Sequence, residues 1–114
     1  MFFFDTYAFM ALDGESRNYE RFKDVEAITT RFNQVEYGWL KIKAGKETNV
    51  ERLEPYVYEV NLEIIKISLK IRLKNKKMSM PDAIGYATAL FLKIPFITGD
   101  DDFKGMPNVE FVKE

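Results

Sequence analysis

Two short apolar runs, one near each end of the chain, most strongly limit how this sequence can fold. The first is "MFFF", residues 1–4, and the second is "IPFIT", residues 94–98. Asp5 directly follows the first run, and Asp100 follows the second after one glycine. Uninterrupted apolar runs of this length are typical of strands that are covered on both faces. We therefore expect both runs to be buried strands.

Helical signals occupy much of the sequence between these strands. Residues 31–44 have apolar side chains at spacings of three and four and are followed by Gly45, which predicts a helix. A shorter helix is expected at 48–53, and a strong start signal predicts another at 79–93. Residues 61–75 show both strand-like alternation and a helical apolar stripe. Their length and their Lys, Leu and Arg content favour a helix.

Further strand signals alternate with these helices. Residues 25–30 are rich in β-branched side chains, "YVYEV" spans 56–60, and "VEFV" spans 109–112. Strands that alternate with helices indicate a parallel sheet with helices on both of its faces. The fold class expected from the sequence is therefore α/β.

The composition excludes several kinds of chemistry. The chain has 114 residues, which suits one domain, and it contains neither cysteine nor histidine. Disulfides, thiolate metal sites and catalytic triads that use histidine are therefore excluded. A net charge of −1 means that any contact with a polyanion must come from a local basic patch. Since no apolar stretch approaches the length of a membrane span, we expect a cytoplasmic protein without a membrane partner.

Acidic residues fall where a parallel sheet presents its binding edge. Asp5 and Asp100 each lie just past the end of a predicted strand, and such strand ends line the ligand crevice of open parallel sheets. Asp82 begins the helix that leads into the second of these strands, while Glu36 lies in the helix after the second predicted strand. If the strands are neighbours, these four carboxylates share one rim.

Each acid also has a simpler structural explanation. Asp5 is as well suited to capping the first helix, and Asp82 to completing a capping box with Ser79. Glu36 taken alone is best explained as a solvated helix residue. The triplet "DDD" at 100–102 fits a turn with a cap, but these explanations do not account for three adjacent carboxylates beside an apolar strand.

Clustered carboxylates without histidine or cysteine indicate a hard divalent cation, Mg²⁺ or Mn²⁺. An EF-hand loop beginning at Asp100 is excluded because Lys104 and Phe111 would occupy ligand positions. A phosphatase of the Asp-x-Asp type is also disfavoured, since Tyr7 stands where the second aspartate belongs. The remaining expectation is a metal held by acids that are distant in sequence.

Four segments in order resemble one known family. "MFFFDTYAFMAL", "ITTRFNQVEYGWL", "MPDAIGYATAL" and "FITGDDDF" are similar to the motifs of PIN-domain ribonucleases, most closely the VapC-type toxins of VapBC toxin–antitoxin pairs. The resemblance covers residues 1–114 and implies a single PIN-like domain, a three-layer α/β/α sandwich around a parallel sheet. It also implies Mg²⁺- or Mn²⁺-dependent endonucleolytic cleavage of RNA by a metal-activated water.

The resemblance also implies roles for individual residues. The acidic site would consist of Asp5, Glu36, Asp82 and Asp100. The metal would be held by Asp5, Asp82 and Asp100, with Asp102 at a further acidic position that is often present. Thr6 and Thr98 match hydroxyls that line the site. Gly99 departs from the family, which often has Arg or Asn at this position.

The partners implied by the resemblance are an RNA substrate, a protein antitoxin whose tail covers the acidic cleft, and a second copy of the chain. Phe9, Met10 and the aromatic face of the 31–44 helix are candidate surfaces for such contacts. The densest basic stretch is a candidate for RNA contact, with Lys70, Arg72 and Lys74 as the predicted binding residues, although a solvated helix face near a loop explains it more simply. The stretch consists of Lys66, Lys70, Arg72, Lys74, Lys76 and Lys77. The competing function is a non-catalytic PIN-fold interaction module.

Overall fold

Four short strands form one parallel sheet. The structure is a computed structural model and describes residues 1–114. The strands are β1 (Phe2–Phe4), β2 (Ala27–Ile28), β3 (Phe96–Thr98) and β4 (Val109–Phe111), and their order in the sheet is β2–β1–β3–β4. The two apolar runs are therefore the central strands, and β1 and β3 are hydrogen-bonded neighbours as expected.

Four α-helices and three short 3₁₀ helices connect the strands. The α-helices are α1 (Thr6–Asp13), α2 (Arg31–Lys43), α3 (Leu62–Lys74) and α4 (Met80–Leu92). The 3₁₀ helices span Arg17–Phe22, Val50–Tyr56 and Asp101–Phe103. The ambiguous 61–75 segment is thus a helix, as its composition predicted. None of these helices is long and apolar enough to cross a lipid bilayer.

Successive side chains of the central strands point to opposite faces of the sheet, and this divides the core into two layers. Phe4 and Ile97 point to the side of the sheet covered by α1 and α2 and pack into one buried cluster. Phe3 and Phe96 point to the opposite side, where they stack with ring centroids 5.3 Å apart beneath α4. Helix α3 packs on α4 and completes that side. The three-layer α/β/α sandwich is therefore confirmed.

Each α-helix begins at a side-chain cap. Asp5, Thr30, Asn61 and Ser79 precede the four helices, and the side-chain oxygen of each accepts a hydrogen bond from a backbone N–H in the first turn. Such caps contribute about 1 kcal/mol each to stability. The caps expected at Asp5 and Ser79 are present, and the Ser79 hydroxyl accepts its bond from the Asp82 N–H.

Two predicted elements are wrong and one is shorter than expected. "YVYEV" is not a strand: only Val57 pairs with the sheet, through an isolated bridge to Thr29. The helix expected at 48–53 is a 3₁₀ helix that continues through Pro55 to Tyr56. The strand expected at 25–30 is reduced to Ala27–Ile28, because Thr30 already caps α2.

The apolar stripes that predicted α2 and α3 face solvent. The α2 stripe (Phe32, Val35, Trp39 and Ile42) has side chains that are between 45% and 67% exposed. The α3 stripe (Leu62, Ile65, Leu69 and Leu73) is between 42% and 71% exposed. Phe9, which the sequence suggested for a partner surface, is instead buried in the core. The periodicity predicted the helices correctly but did not mark their buried faces.

Phe103 fixes the acidic segment 100–102 to the core. Its fully buried ring lies 4.7 Å from the Phe96 ring and 5.8 Å from the Tyr86 ring, centroid to centroid. We expect Phe103→Ala to lower the free energy of unfolding by about 3–5 kcal/mol, because the substitution leaves a cavity in this cluster. Urea denaturation measures the change.

The matched control is Phe91→Ala, which removes the same atoms from a ring that is 38% exposed on α4. We expect it to cost less than half as much. Equal losses in the two variants would contradict the anchoring role of Phe103.

Candidate active site

Asp5 lies at the carboxyl end of β1 and is buried there. Its Oδ1 accepts a hydrogen bond of 2.9 Å from the Ala8 N–H, which caps α1. Its Oδ2 accepts a hydrogen bond from the Thr98 hydroxyl at the end of β3. Asp5 is therefore a helix cap that also forms one wall of a cleft, so its capping role does not exclude a role in a site.

Thr98 links the ends of the two central strands. While its hydroxyl donates to Asp5, the same oxygen accepts a 3.0 Å hydrogen bond from the Asp100 N–H. The Asp100 side chain in turn accepts a 2.9 Å bond from the Asp102 N–H and caps the 3₁₀ turn. The loop after β3 is thus held so that the Asp100 carboxyl lies beside Asp5.

A buried polar network positions Glu36 through the first turn of α2. The Asn33 Nδ2 donates to the Thr6 hydroxyl at 3.2 Å, and the Thr30 hydroxyl donates to the Asn33 Oδ1 at 2.7 Å. These bonds tie the start of α2 to the start of α1. Glu36 follows three residues after Asn33, on the same side of the helix. Sequence reasoning missed Asn33, because nothing in the helical pattern of residues 31–44 marks this polar side chain as buried.

The four predicted site acids line a single cleft of about 350 Å³ at the carboxyl edge of the sheet. Asp82 enters it from the first turn of α4, where the Ser79 hydroxyl accepts a hydrogen bond from the Asp82 N–H. Apolar and hydroxyl side chains complete the walls. The lining residues are Asp5, Thr6, Tyr7, Met10, Glu36, Leu40, Asp82 and Asp100.

The other two members of the acidic triplet lie outside this cleft. Asp101 is exposed and forms an ion pair with Lys113, with a nitrogen–oxygen distance of 3.0 Å. Asp102 contributes repulsion to Asp82 but lines a neighbouring cleft together with Lys76 and Lys77. Direct metal ligation by Asp102 therefore stays a prediction.

Burial and mutual repulsion disfavour the charged forms of the cleft acids. Burial is the largest cause that raises the pKa of Asp5 to about 8, and the charges of Asp82 and Asp100 raise it further. Burial also raises the pKa of Asp82 to about 7, with added repulsion from Glu36 and Asp100. Hydrogen bonds from Thr98 and Ala8 to Asp5 oppose the shift only in part. A cation in the cleft would reverse this balance.

The donor set fits Mg²⁺ or Mn²⁺, because every polar group around the cleft is an oxygen ligand. No three acidic side chains of the chain lie close enough together to form a complete ligand set. Mg²⁺ commonly keeps several waters and binds through only one or two carboxylates. A cleft with separated carboxylates suits such partly hydrated binding.

Tyr7 explains the glycine at position 99. A Cβ at Gly99 would lie 2.2 Å from the Tyr7 ring and 2.5 Å from the Val112 carbonyl oxygen. The Tyr7 ring therefore fills the space that a larger side chain would need. The departure from the family pattern at this position has a packing cause within this chain.

The basic residues predicted to contact RNA do not line the acidic cleft. Lys70 and Lys74 border a separate shallow cleft against Tyr86, and Arg72 is half-buried. Their role in RNA contact stays a prediction. Lys76 and Lys77, which follow α3 in the same basic stretch, instead line a cleft together with Asp102.

The raised pKa values predict how pH affects the metal-free protein. The pKa of the Asp5 carboxyl is near 4 in the unfolded chain and about 8 in the folded protein. Between pH 4 and pH 8 the folded state therefore binds more protons than the unfolded state. Stability should therefore fall as pH rises from about 4 to about 8. We expect Asp5→Asn to remove part of this fall and to be more stable than the parent at pH 8 by about 1 kcal/mol or more.

Denaturation in urea with EDTA, at pH 5 and pH 8, measures this effect. Glu47→Gln is the control, because Glu47 is exposed, unpaired and outside the cleft. A parent protein that is equally stable at both pH values would contradict the predicted electrostatic strain.

Comparison with known proteins identifies the fold. No model of a protein family and no curated protein matches this sequence. Among solved structures, a toxin–antitoxin complex from Klebsiella pneumoniae is similar with 23% identity and a TM-score of 0.77, over 96% of this chain and 95% of that chain. VapC20 of Mycobacterium tuberculosis, described as a sarcin–ricin-loop-cleaving toxin, is similar with 18% identity and a TM-score of 0.78.

The VapC20 similarity covers 99% of this chain and 100% of the other. VapBC-5 of M. tuberculosis, a member of the VapBC toxin–antitoxin systems, is similar with 20% identity and a TM-score of 0.65, over 98% and 97% of the two chains. These likenesses span both chains almost completely. The chain therefore has the fold of VapC toxins, the PIN-like α/β/α sandwich that its sequence motifs implied.

Proposed function

We propose that this protein is a Mg²⁺- or Mn²⁺-dependent endoribonuclease and the toxin of a toxin–antitoxin pair. The observation that carries the proposal is the meeting of four carboxylates from separate parts of the chain in one cleft. Asp5 and Asp100 follow neighbouring parallel strands, Glu36 comes from α2, and Asp82 comes from α4. Structural needs alone do not require all four to share one cleft.

The comparisons support the biological setting of the proposal. One solved structure with this fold is a toxin–antitoxin complex, and another is a toxin that cleaves the sarcin–ricin loop. In both cases the similarity covers at least 95% of each chain, which supports the same layout of elements. We propose a cytoplasmic location for this activity, because RNA is its proposed substrate.

The cleft residues would have different tasks in hydrolysis of a phosphodiester bond. Asp5, Asp82 and Asp100 would hold the cation, directly or through water. When bound, the cation would lower the pKa of a water molecule and offset charge on the phosphate. Glu36, half-buried at the cleft wall, would orient the attacking water and accept its proton. Thr98 would keep the Asp5 carboxylate in place through its hydrogen bond.

The alternative is a non-catalytic interaction module with the same fold. In this cleft, burial and repulsion between carboxylates raise the pKa values of Asp5 and Asp82. An interaction module has no need for such an arrangement. The complete acid set therefore favours the enzyme. The two functions differ in one measurable property, cleavage of RNA that depends on a divalent cation.

We expect the parent protein to cut a structured RNA with Mg²⁺ or Mn²⁺ and to stop in EDTA. Asp5→Asn and Asp82→Asn should each reduce the rate about 100-fold or more, because each removes a charge that holds the cation. Gel analysis of end-labelled RNA measures cutting. Circular dichroism checks that the variants remain folded.

The matched control for this experiment is Asp101→Asn, an identical change in the same triplet as Asp100. Asp101 pairs with Lys113 outside the cleft, so its variant should cut at nearly the parental rate. Equal cutting by the parent and both cleft variants would overturn the catalytic proposal and favour the interaction module.

We place the antitoxin contact on the α2 stripe. This apolar face is exposed, and its helix also supplies Glu36 and Leu40 to the cleft wall. A partner chain seated on the α2 stripe would thus lie beside the cleft and could block access to it. Large exposed apolar patches commonly mark protein interfaces.

We place the homodimer contact on the α3 stripe, because this exposed apolar face is separate from the acidic cleft. Two copies that meet antiparallel about a twofold axis would bury the stripe against itself. The charges of α3 are mostly basic, and its one acid, Glu63, already pairs with Lys66 of the same helix, so burial of the apolar stripe is the driving force of the proposed contact.

We expect the parent to sediment as a dimer and Leu69→Glu to sediment as a monomer, since the substitution puts a charge at the centre of the α3 stripe. Val35→Glu is the matched control: it makes a comparable change on the α2 stripe and should leave the dimer intact. Analytical ultracentrifugation measures both. Loss of the dimer in Val35→Glu alone would assign self-association to α2 instead.

A further inference from the structure

Lys76 and Lys77 form an exposed basic turn between α3 and α4. The turn is internally hydrogen-bonded: the Met78 N–H donates to the Asn75 carbonyl oxygen at 2.9 Å, and the Asn75 side chain donates to the Ile71 carbonyl oxygen. We call the pair Lys76 and Lys77 the basic turn. These two hydrogen bonds hold the residues on either side of the lysine pair.

The core holds the basic turn beside the acidic segment. Met78, next to the turn, is buried in the same apolar cluster as Phe103, which anchors residues 100–102. As a result, both lysines and Asp102 line one shallow cleft of about 260 Å³. Asp102 is also close enough to Asp82 to raise its pKa. The basic turn is therefore at the margin of the candidate active site.

The two lysines have no acidic partner within ion-pair distance. The arginines at 21, 31 and 52 are each paired with a carboxylate, and Lys113 is paired with Asp101. Lys41 and Lys43 lie over the rings of Tyr37 and Trp39. The basic turn thus combines two features, unpaired charge and proximity to the acidic residues.

We infer that the basic turn binds the phosphate backbone of the RNA strand, next to the phosphate that enters the acidic cleft. The inference rests on the proposed function. A cleft of carboxylates repels RNA, and the whole chain carries a net charge of −1, so attraction must be local. Lysines at the margin would attract the strand while the reacting phosphate meets the cation. Lysine acts as a point charge on phosphate, so this contact is independent of base sequence.

The test compares RNA binding by the parent with binding by the double variant Lys76→Gln, Lys77→Gln. Binding of a fluorescently labelled 12-nucleotide single-stranded RNA is followed by anisotropy in EDTA, from 50 to 300 mM KCl, so that no cutting occurs. The plot of log affinity against log salt should lose about 1.4 of its slope, about 0.7 for each lost phosphate contact. Affinity near 0.1 M salt should fall about tenfold or more.

The matched control is Lys46→Gln, Lys93→Gln, which removes the same charge from two exposed, unpaired lysines. Lys93 follows the last residue of α4, at the opposite end of that helix from Asp82. We expect this control to keep the parental slope. An equal loss of slope in both double variants would indicate net charge as the cause and would overturn the inference.

A second probe, a 12-residue oligoglutamate, separates RNA from an acidic peptide as the ligand. If the basic-turn variant loses oligoglutamate binding and keeps RNA binding, the turn serves a protein partner and the inference is wrong. A parent that does not bind the RNA also overturns it.

The outcome is separable from that of the proposed function. A parent that binds RNA through the basic turn but does not cut it would refute the ribonuclease and leave the inference standing. A parent that cuts RNA while the basic-turn variant binds with unchanged slope would refute the inference alone.

Discussion

The hydrogen bond from the Thr98 hydroxyl to Asp5 joins the ends of the two central strands, and the site depends on it. It satisfies one oxygen of a carboxyl that is almost completely removed from solvent. Because the same Thr98 oxygen accepts the Asp100 N–H, one side chain fixes the relative positions of two acids that are 95 residues apart in sequence. Parallel pairing of β1 with β3 places these groups at the same edge. The pairing of β1 with β3 therefore also determines the relative positions of Asp5 and Asp100 in the site.

The structural and functional explanations of the acids are compatible. Asp5 caps α1, Asp100 caps the following 3₁₀ turn, and Asp82 lies in the capped first turn of α4. The N-terminal ends of α1 and α4 consequently point toward the cleft, where their backbone dipoles favour negative charge. This stabilisation offsets part of the repulsion among carboxylates. Capping thus helps the chain tolerate an acidic cleft.

The parts that sequence could predict are those set by local chemistry. Short apolar runs predicted the central strands, and the start signal at Ser79 predicted α4. The strand expected at "YVYEV" failed because alternation does not show whether a partner strand is available. The α2 stripe is exposed because the inward face of α2 uses Asn33, Gln34 and Tyr37, whose hydrogen bonds compensate for polar burial. Periodicity alone does not distinguish a buried face from a partner face.

The energetically unfavourable features of the isolated chain lie at three surfaces: the acidic cleft, the α2 stripe and the α3 stripe. The cleft buries carboxyl groups that repel one another, and the α2 and α3 stripes expose eight large apolar side chains to water. A bound cation or protonation of a carboxyl group would reduce the repulsion in the cleft. A partner with an apolar surface would remove each stripe from water. Since Glu36 and Leu40 connect the α2 stripe to the cleft wall, a partner on α2 would also change access to the acids. Binding on that face and chemistry in the cleft are therefore coupled by one helix.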